Sequence, residues 1–111
     1  MIGGFIVGGA ESGDVLIRAI GPSLAQFGVS GELSDPVLEL HDETGSLIAS
    51  NDNWKDTQEG EIEATGIPPT DAREPALIAT LAPGNYTTIV RGANSATGIA
   101  LVEVYKLSST P

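Results

Sequence analysis

Residues 35–54, Asp-Pro-Val-Leu-Glu-Leu-His-Asp-Glu-Thr-Gly-Ser-Leu-Ile-Ala-Ser-Asn-Asp-Asn-Trp, read as a strand, a tight acidic turn, a returning strand, and a burst of Asn and Asp that stops at the only tryptophan. Val37, Glu39 and His41 fall on one face of the first strand and Leu38 and Leu40 on the other, the period of two of a half-buried strand. Asp42-Glu43-Thr44-Gly45 has Asp at the start and Gly at the end of a turn, and residues 47–50 return from it. A hairpin of this kind belongs to an antiparallel sheet.

The flanking chain repeats the pattern. Upstream, residues 14–20 (Asp-Val-Leu-Ile-Arg-Ala-Ile) are apolar on both faces except for Arg18, which predicts a strand in the middle of a sandwich. Gly21-Pro22-Ser23 ends it, and residues 24–27 read as one helical turn capped by Ser23 and stopped at Gly28. Nearer the N-terminus, Phe5-Ile6-Val7 lies between Gly3-Gly4 and Gly8-Gly9, ahead of a turn at 11–14. A short apolar strand with glycines on both sides can pair within its own domain or with a neighbour.

Downstream, residues 51–75 form a long polar loop with a helical turn or two within 57–65, whose inward residue is Ile62. Strands are expected at 76–81 and 86–91 as the two arms of a hairpin, joined by Ala82-Pro83-Gly84-Asn85 as a type II turn. Residues 99–107 are expected to be the longest strand. Seven strands and no long helix predict an all-β fold, an antiparallel β-sandwich of jelly-roll or related Greek-key type. It would be a single domain over residues 1–111, with 1–9 an edge or exchanged strand and 108–111 the start of a linker.

Fifteen acidic against five basic residues give a net charge of −10. Nucleic-acid backbones and anionic lipid would be repelled and divalent cations attracted. No apolar run approaches the length that crosses a membrane, so membrane insertion is not expected. The absence of cysteine excludes disulfides and thiolate chemistry. His41 is the sole histidine, and no serine sits in a Gly-x-Ser-x-Gly turn, so neither a nucleophilic triad nor a zinc site is indicated. Glu59, Glu61 and Glu63 alternate as a solvated face would. The sequence therefore points away from an enzyme.

Three other groups stand out. Asn51, Asp52, Asn53 and Asp56 fall close together, with Asp42 at the other end of the same arm. Such oxygens suit calcium, and the same residues also make turns by bonding their own backbone. Both readings stand at this point. Arg18 and Glu103 each interrupt an apolar strand and would form an internal ion pair if those strands are neighbours. Trp54 either anchors the long loop to the sandwich edge or contacts a ligand.

Several phrases together carry a resemblance: Val-Leu-Ile-Arg-Ala-Ile-Gly-Pro-Ser-Leu at 15–24, Ser-Asn-Asp-Asn-Trp at 50–54, and Leu-Ala-Pro-Gly-Asn-Tyr-Thr at 81–87. With Asp-Pro-Val-Leu-Glu-Leu at 35–40 and Gly-Ile-Ala-Leu-Val-Glu-Val-Tyr at 98–105, the chain resembles a module of large secreted and surface proteins of environmental bacteria. More broadly it is similar to bacterial pre-peptidase C-terminal domains. The shared order is a strand, an Asp-x-x-Gly turn, a second strand, an Asn-Asp-rich loop, then Pro-Gly-x-Tyr and a closing strand. The resemblance implies a non-catalytic extracellular β-sandwich, calcium-bound in some members. The expected role is thus a structural or adhesion module, self-associating or joined to neighbouring modules, with a filament built by strand complementation through Phe5, Ile6 and Val7 as its sharper form. The alternative is a polymer- or ligand-binding accessory module of a secreted enzyme, with an exposed groove near Trp54.

Overall fold

The computed structural model describes residues 2–9 and 12–107. The linker start expected at 108–111, and Glu11 of the expected turn at 11–14, lie outside the described residues. The hairpin at 35–54 forms β3 (Pro36–His41) and β4 (Leu47–Asn51). Leu38 and Leu40 are fully buried while Val37, Glu39 and His41 face outward half-exposed, as the alternation requires. At the turn Gly45 N–H donates to Asp42 C=O at 3.0 Å, and Gly45 sits at φ 86°, a conformation that a side chain disfavours.

β6 (Gly84–Gly92) pairs with the other side of β3, and β1 (Ile2–Val7) pairs with β6 beyond it. This gives a four-stranded antiparallel sheet in the order β1-β6-β3-β4. The second sheet has three strands, with β2 (Gly13–Ile20) between β5 (Ala76–Leu81) and β7 (Leu101–Lys106). Val15, Ile17 and Ala19 of β2 point into the space between the sheets, where they meet Leu38, Leu40, Leu77, Tyr86 and Val90. The central position expected for this strand is where it lies.

The opposite face of β2 is buried as well, because the long loop folds back over it. Leu16, Ala76, Trp54 and Ile62 make a second core there. Ile62 is the inward residue of α1 (Glu59–Ala64) and has no exposed surface. The molecule thus has three layers: a sheet, a second sheet, and a cover of loop and helix.

The structure corrects three expectations. β5 and β6 are not arms of one hairpin; they belong to different sheets, and Ala82-Pro83 is a corner between them. The Tyr86 hydroxyl donates to Ala82 C=O at 2.5 Å and fixes that corner. Proline and glycine signal a change of direction there but do not say whether the chain stays in its sheet. The longest described strand is β6, with 9 residues, whereas β7 has 6; the chain before Leu101 is held instead by Leu33 and Gly31 backbone bonds to Ile99. Ser23 does not cap a helix beginning at Leu24. The 3₁₀ helix runs Pro22–Phe27, ends at Gly28 in the left-handed conformation, and Ser23 is buried inside it.

Every connection except the β3–β4 hairpin crosses from one sheet to the other. That alternation is the winding of a jelly roll, whose full form has eight strands. Because Ile62 is the only apolar side chain α1 buries, Ile62→Ala is expected to cost about 2–4 kcal/mol in denaturant unfolding.

Candidate functional site

The five residues considered for calcium do not converge. Asp42 Oδ1 accepts from Thr44 N–H at 2.9 Å, Thr44 Oγ1 at 2.6 Å and Ser46 N–H at 3.0 Å. These bonds close the β3–β4 turn and hold the Asp42 carboxyl below its ordinary pKa, the Thr44 side chain contributing most. Asn51, Asp52, Asn53 and Asp56 lie at the far end of β4. There the Asn51 amide is buried: its oxygen accepts from Ala76 N–H and its nitrogen donates to Asn53 C=O, both at 3.0 Å. Asn53 Nδ2 donates to Asp56 Oδ2 at 3.2 Å. Partial burial, then the neighbouring Asp35, pushes the Asp52 pKa up. Among the described residues no group of three His, Cys, Asp or Glu side chains lies close enough to hold a metal ion.

Trp54 is 5% exposed and packs on the outer face of the second sheet rather than at the sandwich edge. Its backbone N–H donates to Glu74 C=O at 3.0 Å, and the Lys55 ammonium lies 5.4 Å from the ring centroid. With the indole buried, it offers no exposed ring for a ligand to stack on.

Arg18 and Glu103 stand directly opposite each other in the β2–β7 pairing. Arg18 Nε donates to Glu103 Oε1 at 2.8 Å. One terminal nitrogen of Arg18 donates to Ile67 C=O at 2.9 Å and the other to the Tyr105 hydroxyl at 3.0 Å. Tyr105 in turn donates to Glu103 Oε2 at 2.8 Å, which holds the phenol above its ordinary pKa. The guanidinium therefore ties the covering loop to the sheet beneath it.

Glu74 was not singled out by its sequence context, yet it is fully buried. Its carboxylate accepts from Gly21 N–H and Ser23 N–H, each at 2.9 Å, from Ser23 Oγ at 2.7 Å, and from Asp71 N–H at 3.2 Å. The Gly21 and Ser23 donors are the free ones at the start of the 3₁₀ helix. The Gly-Pro-Ser turn was the available signal, since it leaves donors exposed after a buried strand. Gly21 is required here because a Cβ would stand 2.2 Å from Leu33 C=O.

On the outer face of the first sheet, Glu39 lies between His41 and Arg91. His41 Nε2 donates to it at 2.9 Å and an Arg91 terminal nitrogen contacts it at 2.7 Å. His41 Nδ1 lies 3.1 Å from Gly45 C=O, so both ring nitrogens face oxygen acceptors and the protonated ring satisfies both. Hydrogen bonding to Glu39 raises the His41 pKa, and bonding to His41 lowers that of Glu39.

The edges of the second sheet differ. At β5 the outward N–H of Ala76 is taken by Asn51 and that of Ile78 by Gln58 Oε1 at 2.9 Å, while Gln58 Nε2 donates to Ile78 C=O at 3.1 Å. Side chains thus substitute for a further strand. At β7 no strand follows among the described residues. Val104 is 39% exposed and Leu101 47%. β1, the edge of the other sheet, runs beside this open flank: Phe5 stacks on Tyr86 with centroids 5.5 Å apart, and Ile6 is 75% exposed. Compared with family models, curated proteins and solved structures, the chain matches none.

Two outcomes test these arrangements. Glu74→Gln turns an amide N–H₂ toward backbone donors and is expected to lower stability by about 2–4 kcal/mol in denaturant unfolding, the cost of unpaired buried donors. For His41, NMR titration should give a midpoint above 6.5, falling in Glu39→Gln. Because the His41 pKa is raised and the Glu39 pKa lowered on folding, the pair's stabilisation is present between those two values. It fades as pH rises through the His41 midpoint and as pH falls through that of Glu39.

Proposed function

We propose that the chain is a non-catalytic structural or adhesion module of the bacterial cell exterior, joined to further copies or neighbouring modules through its N-terminal strand. The observation that carries this reading is the placement of β1. It sits at a sheet edge and pairs with β6 alone. The sequence between β1 and β2 includes Gly8 and Gly9. A strand held on one side and released by glycines can be supplied by its own chain or by another with the same hydrogen bonds and the same Phe5–Tyr86 contact.

The net charge of −10 and the resemblance to secreted bacterial modules support an extracellular setting. They also favour partners other than nucleic acid. The accessory-module alternative expected an exposed groove at Trp54, and the burial of that ring removes its main support.

The chain has no cysteine of its own, which permits a direct test. Gly4 and Thr87 are paired across β1 and β6. When Gly4→Cys and Thr87→Cys variants are mixed and oxidised, disulfide-linked heterodimers are expected on non-reducing gels. A disulfide that forms only when both cysteines are on one chain would overturn the exchange reading.

A further inference from the structure

We propose that the β1 position on β6 selects its own strand: Thr88, Tyr86 and Gly84 admit a Gly-x-Phe-x-Val pattern in one register, and the partner that fills it is β1 of a second copy of this chain. The partner rests on the strand exchange proposed above. The selection holds whichever chain supplies the strand.

The pattern follows from the alternation of β1. Gly3, Phe5 and Val7 turn inward and are half-buried, while Gly4 and Ile6 are exposed. Across the pairing Gly3 faces Thr88, Phe5 faces Tyr86 and Val7 faces Gly84. Each pair sets a small residue against a larger one, or a ring against a ring. Phe5 stacks on Tyr86 with centroids 5.5 Å apart and planes inclined by 21°. Val7 stands across from a residue without a side chain.

Gly3 is the most restricted of the three. Thr88 is 1% exposed, and its hydroxyl donates to Gly3 C=O at 3.1 Å. A Cβ on Gly3 would stand 3.3 Å from Thr88 Oγ1. A larger side chain there must push the hydroxyl off its acceptor, leaving a buried donor unpaired.

The same contacts fix the register. A slip of one residue turns Gly4 and Ile6 inward and Phe5 out. A slip of two keeps the faces, yet it brings Phe5 against Thr88 in one direction and leaves Tyr86 facing Gly3 in the other. Gly-x-Phe-x-Val occurs once in the chain, at residues 3–7. Residues 2–9 also carry no charged side chain, so a donated β1 brings no like charge into the contact although each copy has a net charge of −10.

The cysteine pair that follows exchange tests selection as well. With Gly4→Cys and Thr87→Cys on one chain, the disulfide fraction in a glutathione redox buffer measures how well β1 fills its position in cis. On separate chains, the heterodimer fraction measures the same in trans. Gly3→Val is expected to lower both fractions about tenfold, and Thr88→Ala on the receiving chain to restore them by making room for the valine. A peptide of residues 2–8 should suppress heterodimers, and the same peptide with its first glycine and its phenylalanine exchanged should need about tenfold more. A Gly3→Val chain that cross-links like its parent, no recovery with Thr88→Ala, or equal suppression by the two peptides would overturn the selection. If circular dichroism shows Gly3→Val unfolded, Phe5→Ala removes the stacked ring with Gly3 in place and should give a similar fall; an unchanged fraction then overturns the selection. Cross-links that form in cis and never in trans would overturn the second copy as partner, together with the exchange reading, while the cis fractions still decide the selection.

Discussion

The buried carboxylate of Glu74 is the interaction on which the rest of the structure depends. A charge with no exposed surface is costly unless every oxygen lone pair is met. Here three backbone N–H groups and one hydroxyl meet it, and no ion pair to it forms among the described residues. The donors come from both sides of a gap of about fifty residues, so the carboxylate fixes the end of β2 relative to the end of the long loop. The backbone on either side of Glu74 continues the lock. Its C=O accepts from Trp54, and Pro75 C=O accepts from Ala19.

From that point the loop at 51–75 is held at successive places along the outer face of the second sheet. Asn51 meets Ala76, Gln58 meets Ile78, Ile62 fills the apolar space, and Arg18 reaches Ile67. A segment without long regular structure becomes a third layer because polar side chains serve as its backbone partners. The same bonds that hold the loop also cover one edge of the sheet. Cover and edge protection are one set of contacts.

Much of this was legible from the residues. The alternation in β3, the two-sided apolar run of β2, the Asp42 turn and the inward Ile62 follow from local periodicity and turn chemistry, which act over a few residues. The corner at Pro83 was not legible, since the choice between hairpin and crossing is made by whether Tyr86 packs between the sheets. Glu74 was hidden for a different reason. It lies in a polar stretch between Arg73 and Pro75, and nothing local distinguishes a glutamate that will be buried by distant donors from one left in water. The Asn51–Asp56 run allowed two readings, because its oxygens gather in sequence whether they face an ion or their own backbone, and only the distant Ala76 N–H shows that Asn51 turns inward.

The Asn51 and Gln58 caps also bear on how the module ages in crowded solution. An uncovered edge at each side of a sheet allows unlimited side-by-side growth, the route to amyloid-like deposits. On the three-stranded sheet, Asn51 and Gln58 occupy outward backbone groups of Ala76 and Ile78, so side chains of the same chain oppose growth from the β5 side.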